Sequence, residues 1–297
     1  MVLIVGPTAV GKTDLCIDLS QKFKADIFSC DSRQFYREMS IGTAKPSKEE
    51  LAAATHHFIN NRSISEDYSV ADYEKEVLKE LDEYYKSNDI AILTGGSGLF
   101  AKAITHGFDE IPDIPKEIRQ ELIELQQSKG LSVLVEKLEK VDPHYAQTAD
   151  LHNAQRIIRA LEVAIYTGKA FSEWHKSKEN ERPFSFIKIA LERPREELYS
   201  RINKRVVLML EAGLIEEVKS LEKYRDKNAL QTVGYKEVFQ FLDGKLSYPE
   251  MTELIKRNTR RYAKRQLTWF RNQDNFTWIQ AIDFKQIEEK IKKSLKK

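Results

Sequence analysis

Long apolar runs are missing from this chain of 297 residues. No stretch approaches the roughly 18 apolar residues that a transmembrane helix requires, so the sequence excludes a protein that spans a membrane through a helix. An apolar segment follows Met1 almost directly and leaves no room for a signal or transit peptide. We therefore expect a cytoplasmic protein. Its 41% of hydrophobic residues suffice for one large core, or for a core and a smaller lobe.

Cysteine and net charge are also scarce. The two cysteines, Cys16 and Cys30, lack the spacing of metal ligands, which excludes a zinc site of the CxxC type and predicts reduced, buried thiols. The adjacent His56 and His57 point in different directions on any regular element, so we expect no chelate there. The formal net charge is only +2, although 32% of the residues are charged. A nucleic-acid surface would therefore have to arise from local clustering of cations.

Short apolar segments alternate with helical ones in the first hundred residues. Segments 2–5, 26–30 and 90–94 have the length and composition of buried strands, and 70–85 has helical periodicity. This alternation predicts an α/β fold with a parallel sheet covered on both faces.

Helical patterns then dominate from Pro112 to Pro183, for example at 116–127 and 153–167, before a strand-like segment at 186–191. We expect the remainder to be helical and to end in a lysine-rich tail. We predict a P-loop-containing parallel-sheet core interrupted by an inserted helical domain. Its parts are the first half of the core at 1–111, the helical domain at 112–185, and the second half with a basic C-terminal helix at 186–297.

A phosphate-binding loop is the most specific local motif. Residues 6–13, GPTAVGKT, match G-x-x-x-x-G-K-[ST] between a predicted strand and a predicted helix. The glycines allow the backbone amides to surround a pyrophosphate-like group, Lys12 adds a full charge, and the Thr13 hydroxyl suits Mg²⁺. The predicted phosphate ligands are Gly6, Thr8, Ala9, Val10, Gly11, Lys12 and Thr13. In an ordinary P-loop NTPase, an apolar strand ends in a metal-binding Asp. Here the strand at 90–94 leads into Gly95-Gly96-Ser97 instead, so the motif alone does not identify the phosphate compound that binds.

Asp31 follows the second predicted strand. The carboxyl ends of parallel strands form the ligand-binding edge of such sheets, so Asp31 is expected to face the phosphate loop and to accept a proton from a nucleophile. An Asp at this place also serves as a turn or cap residue. Three residues later, Gln34 has the donor–acceptor pair that reads an adenine edge in a bidentate manner.

Basic residues cluster in two predicted helices. Arg156 and Arg159 lie one turn apart, opposite an apolar face formed by Ile158, Leu161 and Ile165. They are either solvated cations, or cations that face the ligand-binding crevice or an RNA phosphate.

The second cluster, 256–271, contains no acidic residue and interleaves cations with Tyr262, Trp269 and Phe270. That composition is typical of contact with an RNA backbone combined with base stacking, and it also fits an amphipathic helix docked on the core.

Nine sequence blocks together resemble the tRNA dimethylallyltransferase family of bacterial type, and they span nearly the whole chain. They are GPTAVGKT (6–13), DSRQFY (31–36), IGTAKP (41–46), YSVADY (68–73), TGGSGLF (94–100), QRIIRALE (155–162), ERPREELYSRI (192–202), VGYKE (233–237) and TRRYAKRQLTWFR (259–271). The resemblance implies a core with a helical insertion, Mg²⁺ dependence, and a channel in which dimethylallyl pyrophosphate meets the anticodon stem-loop of a tRNA.

The resemblance also assigns roles to residues. The phosphate loop would hold the donor pyrophosphate, and Asp31 would act as general base on the N6 amine of the adenosine 3′-adjacent to the anticodon. Ser97 stands where the family more often has Thr, and it keeps the hydroxyl. Lys12, Asp31 and Ser97 are thus the expected catalytic residues. The expected tRNA contacts are Asp31, Ser32, Arg33, Gln34, Ser97, Arg119, Gln155, Arg156, Arg159, Arg260, Arg261 and Arg265.

Other functions remain open from the sequence. The same chemistry on free adenine nucleotides, as in adenylate isopentenyltransferases, is the nearest alternative; the helical insertion and the basic helix favour a tRNA. A P-loop kinase of small molecules, with ATP as the bound nucleotide, and a non-catalytic RNA-binding module are further alternatives. We expect a monomer, because no exposed apolar stripe stands out.

Overall fold

The chain folds into two compact units, described here from a computed structural model that covers residues 1–108, 111–174, 181–273 and 275–295. The first unit joins Met1–Thr105 with Arg182–Lys297, and the second is His106–Glu181. The sequence placed the helical segment at 112–185, a few residues later. The difference has a local cause: Arg182 is already bound to the first unit, donating to the carbonyls of Ile104 at 2.9 Å and Ala103 at 2.7 Å.

One parallel sheet organises the first unit, which confirms the predicted α/β fold. Within the described residues it has six strands in the order β3-β2-β4-β1-β5-β6, and every pair is parallel. The strands are β1 (Val2–Val5), β2 (Ile27–Ser29), β3 (His56–His57), β4 (Ile92–Gly95), β5 (Ile187–Glu192) and β6 (Thr277–Gln280).

Both faces of this sheet are buried, as the uninterrupted apolar strands predict. Successive side chains of a strand point to opposite faces. Val2 and Ile4 accordingly belong to one apolar cluster, and Leu3 and Val5 belong to another. The helices of the first unit are α1 (Lys12–Phe23), α2 (Lys48–Ala53), α3 (Val70–Tyr84), α4 (Gly98–Thr105), α10 (Arg195–Glu211), α11 (Leu214–Ser220), α12 (Tyr235–Leu242), α13 (Tyr248–Gln273) and α14 (Phe284–Leu295), with two short 3₁₀ helices at Glu222–Tyr224 and Asn228–Leu230.

The second unit is helical in its described part and has its own apolar cluster. Its helices are α5 (Lys116–Lys129), α6 (Leu131–Val141), α7 (Pro143–Thr148), α8 (Ala154–Thr167) and α9 (Phe171–Trp174). Asn153 caps α8 by accepting from the Arg156 amide, and Gly168 ends the helix in the left-handed conformation at φ 68°. On the apolar face opposite the arginines, Ile158 and Leu161 are buried, whereas Ile165 is 54% exposed. Periodicity defines a helix face, but neighbouring elements decide how many turns of it are covered.

Two strands escaped the sequence analysis. β3 has only two residues, and β6 has four residues of which one is buried, so neither shows a recognisable period. The expectation that everything after β5 is helical was therefore wrong at β6. Among the described residues, no helix combines the length and the apolar character that crossing a membrane would require.

Candidate active site

The phosphate loop connects β1 to α1 at the carboxyl edge of the sheet. Helix α1 begins at Lys12 after Gly11, which adopts a left-handed conformation and provides no side-chain cap. The first amides of α1 are thus left without the usual capping oxygen, which favours an anion at this end. The Thr8 amide donates to the Gln266 side chain at 2.9 Å. Gln266 therefore fixes the loop at a position that the sequence assigned to the ligand.

Lys12 lies folded against its own loop. Its ammonium donates to the carbonyls of Gly6 at 2.9 Å and Pro7 at 3.0 Å. Burial lowers the pKa of Lys12 to about 8, with Asp31 opposing the shift and Arg205 adding to it. A phosphate group next to this ammonium would restore its preference for the charged form.

Three arginines that the sequence analysis left without a role surround the phosphate loop. Arg193, just after β5, donates to the Val10 carbonyl at 2.7 Å, and Arg201 of α10 donates to the Ala9 carbonyl at 2.8 Å. Arg205 reaches the Thr8 hydroxyl at 3.5 Å. Arg201 and Arg205 are four residues apart on one helix, so their shared face was a detectable signal. The loop is therefore more cationic than Lys12 alone suggests.

Asp31 and Ser97 lie beside this loop because β2 and β4 are neighbouring parallel strands that end at the same edge. Asp31 accepts from the Arg33 amide at 3.0 Å. The Ser97 hydroxyl accepts from the Ser32 amide at 3.1 Å and donates to the Ser32 hydroxyl at 3.0 Å. These bonds order the segment that follows β2.

A cavity of about 330 Å³ joins these groups, and its lining includes Lys12, Thr13, Asp31, Arg201, Arg205 and Tyr262. Its volume suits a small organic ligand. Burial, followed by the nearby Asp31 carboxylate, raises the pKa of the Tyr262 phenol to about 12. The cavity therefore places phosphate-binding groups and a carboxylate around one space.

Gln34 lies in the same cavity, held by the loop of the IGTAKP block. Its amide nitrogen donates to the carbonyls of Thr43 at 3.3 Å and Ala44 at 3.2 Å. A bidentate contact with an adenine edge needs that nitrogen, so it would require these bonds to break. In this conformation the amide oxygen is the group offered to a ligand.

Glu217 organises the loop that holds Gln34. Its carboxylate accepts from the amides of Ser40, Ile41 and Gly42 at 3.0, 2.7 and 3.0 Å. It also accepts from the Tyr235 hydroxyl at 2.6 Å. The IGTAKP and VGYKE blocks, distant in sequence, thus meet at one carboxylate.

Helix α13 is docked on the site and carries cations on another face. Gln266 donates to the Gly96 carbonyl at 2.8 Å, and the Trp269 ring lies against Gly98. A Cβ at Gly98 would stand 2.3 Å from that ring, which is why the start of α4 needs glycine there. Both sequence interpretations of 256–271 therefore describe part of this helix: one face packs on the core, and another presents arginines.

The predicted arginines of α13 separate into two groups. Arg261 and Arg265 line a cavity of about 490 Å³ together with Arg33 and Lys236. Arg260 instead donates to the Asn203 side chain of α10 at 2.6 Å. The spacing explains the division, because residues four apart share a helix face and adjacent residues do not. The structure thus groups Arg33, Arg261 and Arg265 and sets Arg260 apart.

The second unit carries the other predicted RNA contacts. Arg119 of α5 and Arg159 of α8 both bind the Glu162 carboxylate, while Gln155 and Arg156 are exposed at the start of α8. Arg119 is thereby brought next to Arg159, which the sequence could not predict.

A second, smaller cavity of about 50 Å³ next to the phosphate loop has oxygen donors that fit a metal ion. Thr13, Ser29, Asp31 and Thr94 contribute to its lining. Within the described residues, the buried Thr94 hydroxyl has no hydrogen-bond partner, and no group of three or more His, Cys, Asp or Glu side chains forms a metal cage. Few protein ligands, hydroxyls and a carboxylate suit Mg²⁺, which usually keeps its waters and binds through substrate phosphates.

Comparison with known proteins identifies the family. The family model described as IPP transferase matches residues 34–273. The tRNA dimethylallyltransferases of Christiangramia forsetii and Flavobacterium johnsoniae are 49% and 48% identical; the alignments cover 98% and 100% of this chain and 98% of each relative. This chain belongs to the IPP transferase family.

Solved structures of IPP transferases agree with this membership. The tRNA isopentenylpyrophosphate transferase of Bacillus halodurans matches with a TM-score of 0.71 and 38% identity, over 99% of this chain and 97% of that one. A eukaryotic dimethylallyltransferase acting on tRNA matches with a TM-score of 0.80 and 27% identity, over 99% of this chain and 77% of that one. The family resemblance stated from the sequence blocks is confirmed, and the chain is an enzyme of the transferase class.

Proposed function

We propose that this IPP transferase moves a dimethylallyl group from dimethylallyl pyrophosphate to the N6 amine of the adenosine 3′-adjacent to the anticodon in tRNA. The observation that carries the proposal is the single cavity shared by the phosphate loop, Arg201 and Asp31. One side of that space suits a pyrophosphate, and the other offers a base to an amine. The relatives named above as tRNA dimethylallyltransferases support the choice of donor and acceptor.

The donor side stabilises the leaving group. As the allylic C–O bond breaks, its electron pair leaves with the pyrophosphate, and negative charge grows on the bridging oxygen. Lys12, Arg201 and Arg205 line the same cavity as the phosphate loop, which supports their role as donors to that oxygen. One preorganised donor of this kind is typically worth about 3–4 kcal/mol in the transition state. Bound at Thr13, Mg²⁺ would add a positive charge against the phosphate oxygens.

The acceptor side activates a weak nucleophile. The lone pair of the adenine amine is delocalised into the ring, so the N–C bond forms only when amine and allylic carbon are aligned. Asp31 takes the proton that the amine loses, and Ser97 holds the segment that carries Asp31 through Ser32. The base must first leave the stack of the loop, at an expense of a few kcal/mol that contacts in the cavity offset.

The remaining predicted contacts would hold the RNA. We assign Arg33, Arg261 and Arg265 to phosphates near the target base, and Arg119, Gln155, Arg156 and Arg159 to a second stretch of the stem-loop. All these residues belong to one chain, so we propose that a monomer carries the activity.

Label transfer tests the function directly. Purified protein, Mg²⁺ and labelled dimethylallyl pyrophosphate would be incubated with unmodified tRNA, with AMP, or with neither. We expect label in an anticodon-loop adenosine of the tRNA only. Label in AMP would make the protein a free-nucleotide prenyltransferase, and label in neither would refute the proposed transfer.

Affinity for pyrophosphate should fall as the pH rises above about 8. The free-enzyme pKa of Lys12 is about 8, so its ammonium is present below that pH and is lost above it. Because the ammonium attracts the anion, the Kd should rise by up to about tenfold per pH unit once the ammonium is the minor form.

Calorimetric titration with inorganic pyrophosphate between pH 6.5 and 9.5 measures this dependence. Lys12→Arg is the matched control, since arginine stays charged and the ionisation of the ligand is the same in both series. Parallel pH profiles for the two proteins would contradict the assignment.

The salt dependence of tRNA binding should distinguish the arginines of α13. Each phosphate contact to a single strand contributes roughly 0.7 to the slope of log K against log salt. We expect the Arg261→Ala/Arg265→Ala double variant to reduce the slope by about 1.4. Arg260→Ala is the control on the same helix, because Arg260 is bound to Asn203. If the double variant keeps the wild-type slope, Arg261 and Arg265 do not contact RNA phosphates and are solvated cations.

A further inference from the structure

A buried carboxylate in the second unit holds two of the arginines assigned to RNA. The Glu162 side chain on α8 is 3% exposed. Both of its oxygens accept from Nη1 of Arg119, at 3.1 Å each, and one oxygen also accepts from Nη1 of Arg159 at 2.7 Å. Two helices, α5 and α8, are therefore joined through one acidic group.

Stability alone does not explain an acidic residue at this place. Glu162 sits beside the apolar cluster that contains Ile158 and Leu161. Taking a carboxylate out of water is unfavourable, and well-packed apolar residues often replace buried ion pairs without loss of stability. The arrangement therefore needs a reason beyond holding the helices together.

The exposed part of the two arginines supplies that reason. The Arg119 and Arg159 side chains are 45% and 43% exposed. Each contacts Glu162 through a single guanidinium nitrogen, which leaves its other N–H groups outside this contact. When a planar guanidinium is held at one edge, its remaining N–H donors form a fork of fixed geometry. This fork can donate two hydrogen bonds to a second acceptor. The cluster of one carboxylate and two guanidiniums carries a net positive charge.

A phosphate of an RNA backbone is the ligand that this geometry suits. Arg156 is exposed one turn before Arg159 on α8 and extends the cationic surface along the helix. Adjacent forks and a cation one turn away match successive phosphates of a strand better than one small anion.

We propose that Glu162 is a positioning residue for RNA, which fixes the orientation of the Arg119 and Arg159 guanidiniums for contact with backbone phosphates. The inference rests on the proposed function, because it takes tRNA as the acceptor. Glu162 itself touches no substrate in this account.

Glu162→Gln separates positioning from charge. The substitution removes a negative charge, so charge alone predicts tighter RNA binding. Glutamine, however, keeps only one acceptor oxygen and lacks the negative charge that strengthens these bonds, so it holds the two guanidiniums less firmly. Positioning therefore predicts weaker binding. We expect the KM and Kd for tRNA to rise about five- to tenfold, with kcat and the KM for dimethylallyl pyrophosphate unchanged.

Glu139→Gln is the matched control, because Glu139 is exposed on α6 in the same unit and its loss changes the net charge equally. The control should bind tRNA as tightly as the wild type or more tightly. If Glu162→Gln behaves like Glu139→Gln, the inference is wrong.

A second variant covers the case in which Glu162→Gln unfolds the helical unit, as seen by circular dichroism. Arg119→Lys/Arg159→Lys keeps both charges and removes both planar forks. We expect its tRNA affinity to fall at least fivefold, and an unchanged affinity would overturn the inference. The proposed function fails separately: it is refuted if the wild-type protein transfers no label to tRNA. The inference about Glu162 is refuted only by the tRNA affinities of the variants.

Discussion

We expect Asp31→Ala to lower the rate of prenyl transfer by about 10²- to 10⁴-fold, the usual contribution of a positioned general base. The carboxylate follows β2 at the edge of the sheet and shares a cavity with Lys12 and Arg201. With alanine, the proton of the amine has no acceptor beside it as the N–C bond forms. The affinity for tRNA should change little, because many phosphate contacts determine it.

Single-turnover kinetics with labelled donor measure this effect, and filter binding measures tRNA affinity. Asp31→Asn separates chemistry from local structure, since its amide oxygen can still accept from the Arg33 amide. Both variants should be slow. Asp89→Asn, at an exposed position before β4, is the control for the loss of a negative charge. Wild-type turnover in either Asp31 variant would remove the base assignment.

Arg201→Ala should reduce kcat/KM for dimethylallyl pyrophosphate by about 10²- to 10³-fold, the usual loss when one preorganised donor to a developing charge is removed. Its guanidinium is fixed by a 2.8 Å bond from Nε to the Ala9 carbonyl and lies in the cavity with Lys12. Because the fixed group needs no reorientation as charge develops, its absence should affect kcat as well as KM.

Lys204→Ala is the matched control, because Lys204 is an exposed cation on the same helix. Steady-state kinetics with varied donor at saturating tRNA distinguish the two variants. Equal kcat/KM values for Arg201→Ala and Lys204→Ala would show that Arg201 does not contact the leaving group.

The sequence located those features that depend on neighbouring residues. The phosphate loop is a contiguous motif, and the sequence predicted that it lies between a strand and a helix. β1 and α1 confirm this prediction. The position of Asp31 could be predicted because a residue directly after a parallel strand lies at the ligand-binding edge of the sheet.

The sequence failed where partners lie far apart in the chain. Arg201 lies 192 residues from Ala9, and Gln266 lies 258 residues from Thr8, and no local pattern predicts such pairs. The same limit applies to Gln34, whose amide binds a loop that Glu217 and Tyr235 hold in place. Only the packed chain shows which donors are already occupied.

By itself, then, the sequence determined the α/β class, the phosphate loop, the position of Asp31 and, through its nine blocks, the IPP transferase family. The tertiary structure alone decided that Arg201 and Arg205 surround the loop, that Arg260 turns to Asn203, and that Glu162 joins Arg119 to Arg159. The physical reason is that local dihedral preferences fix the course of each element, whereas burial of apolar faces between distant elements fixes which side chains meet.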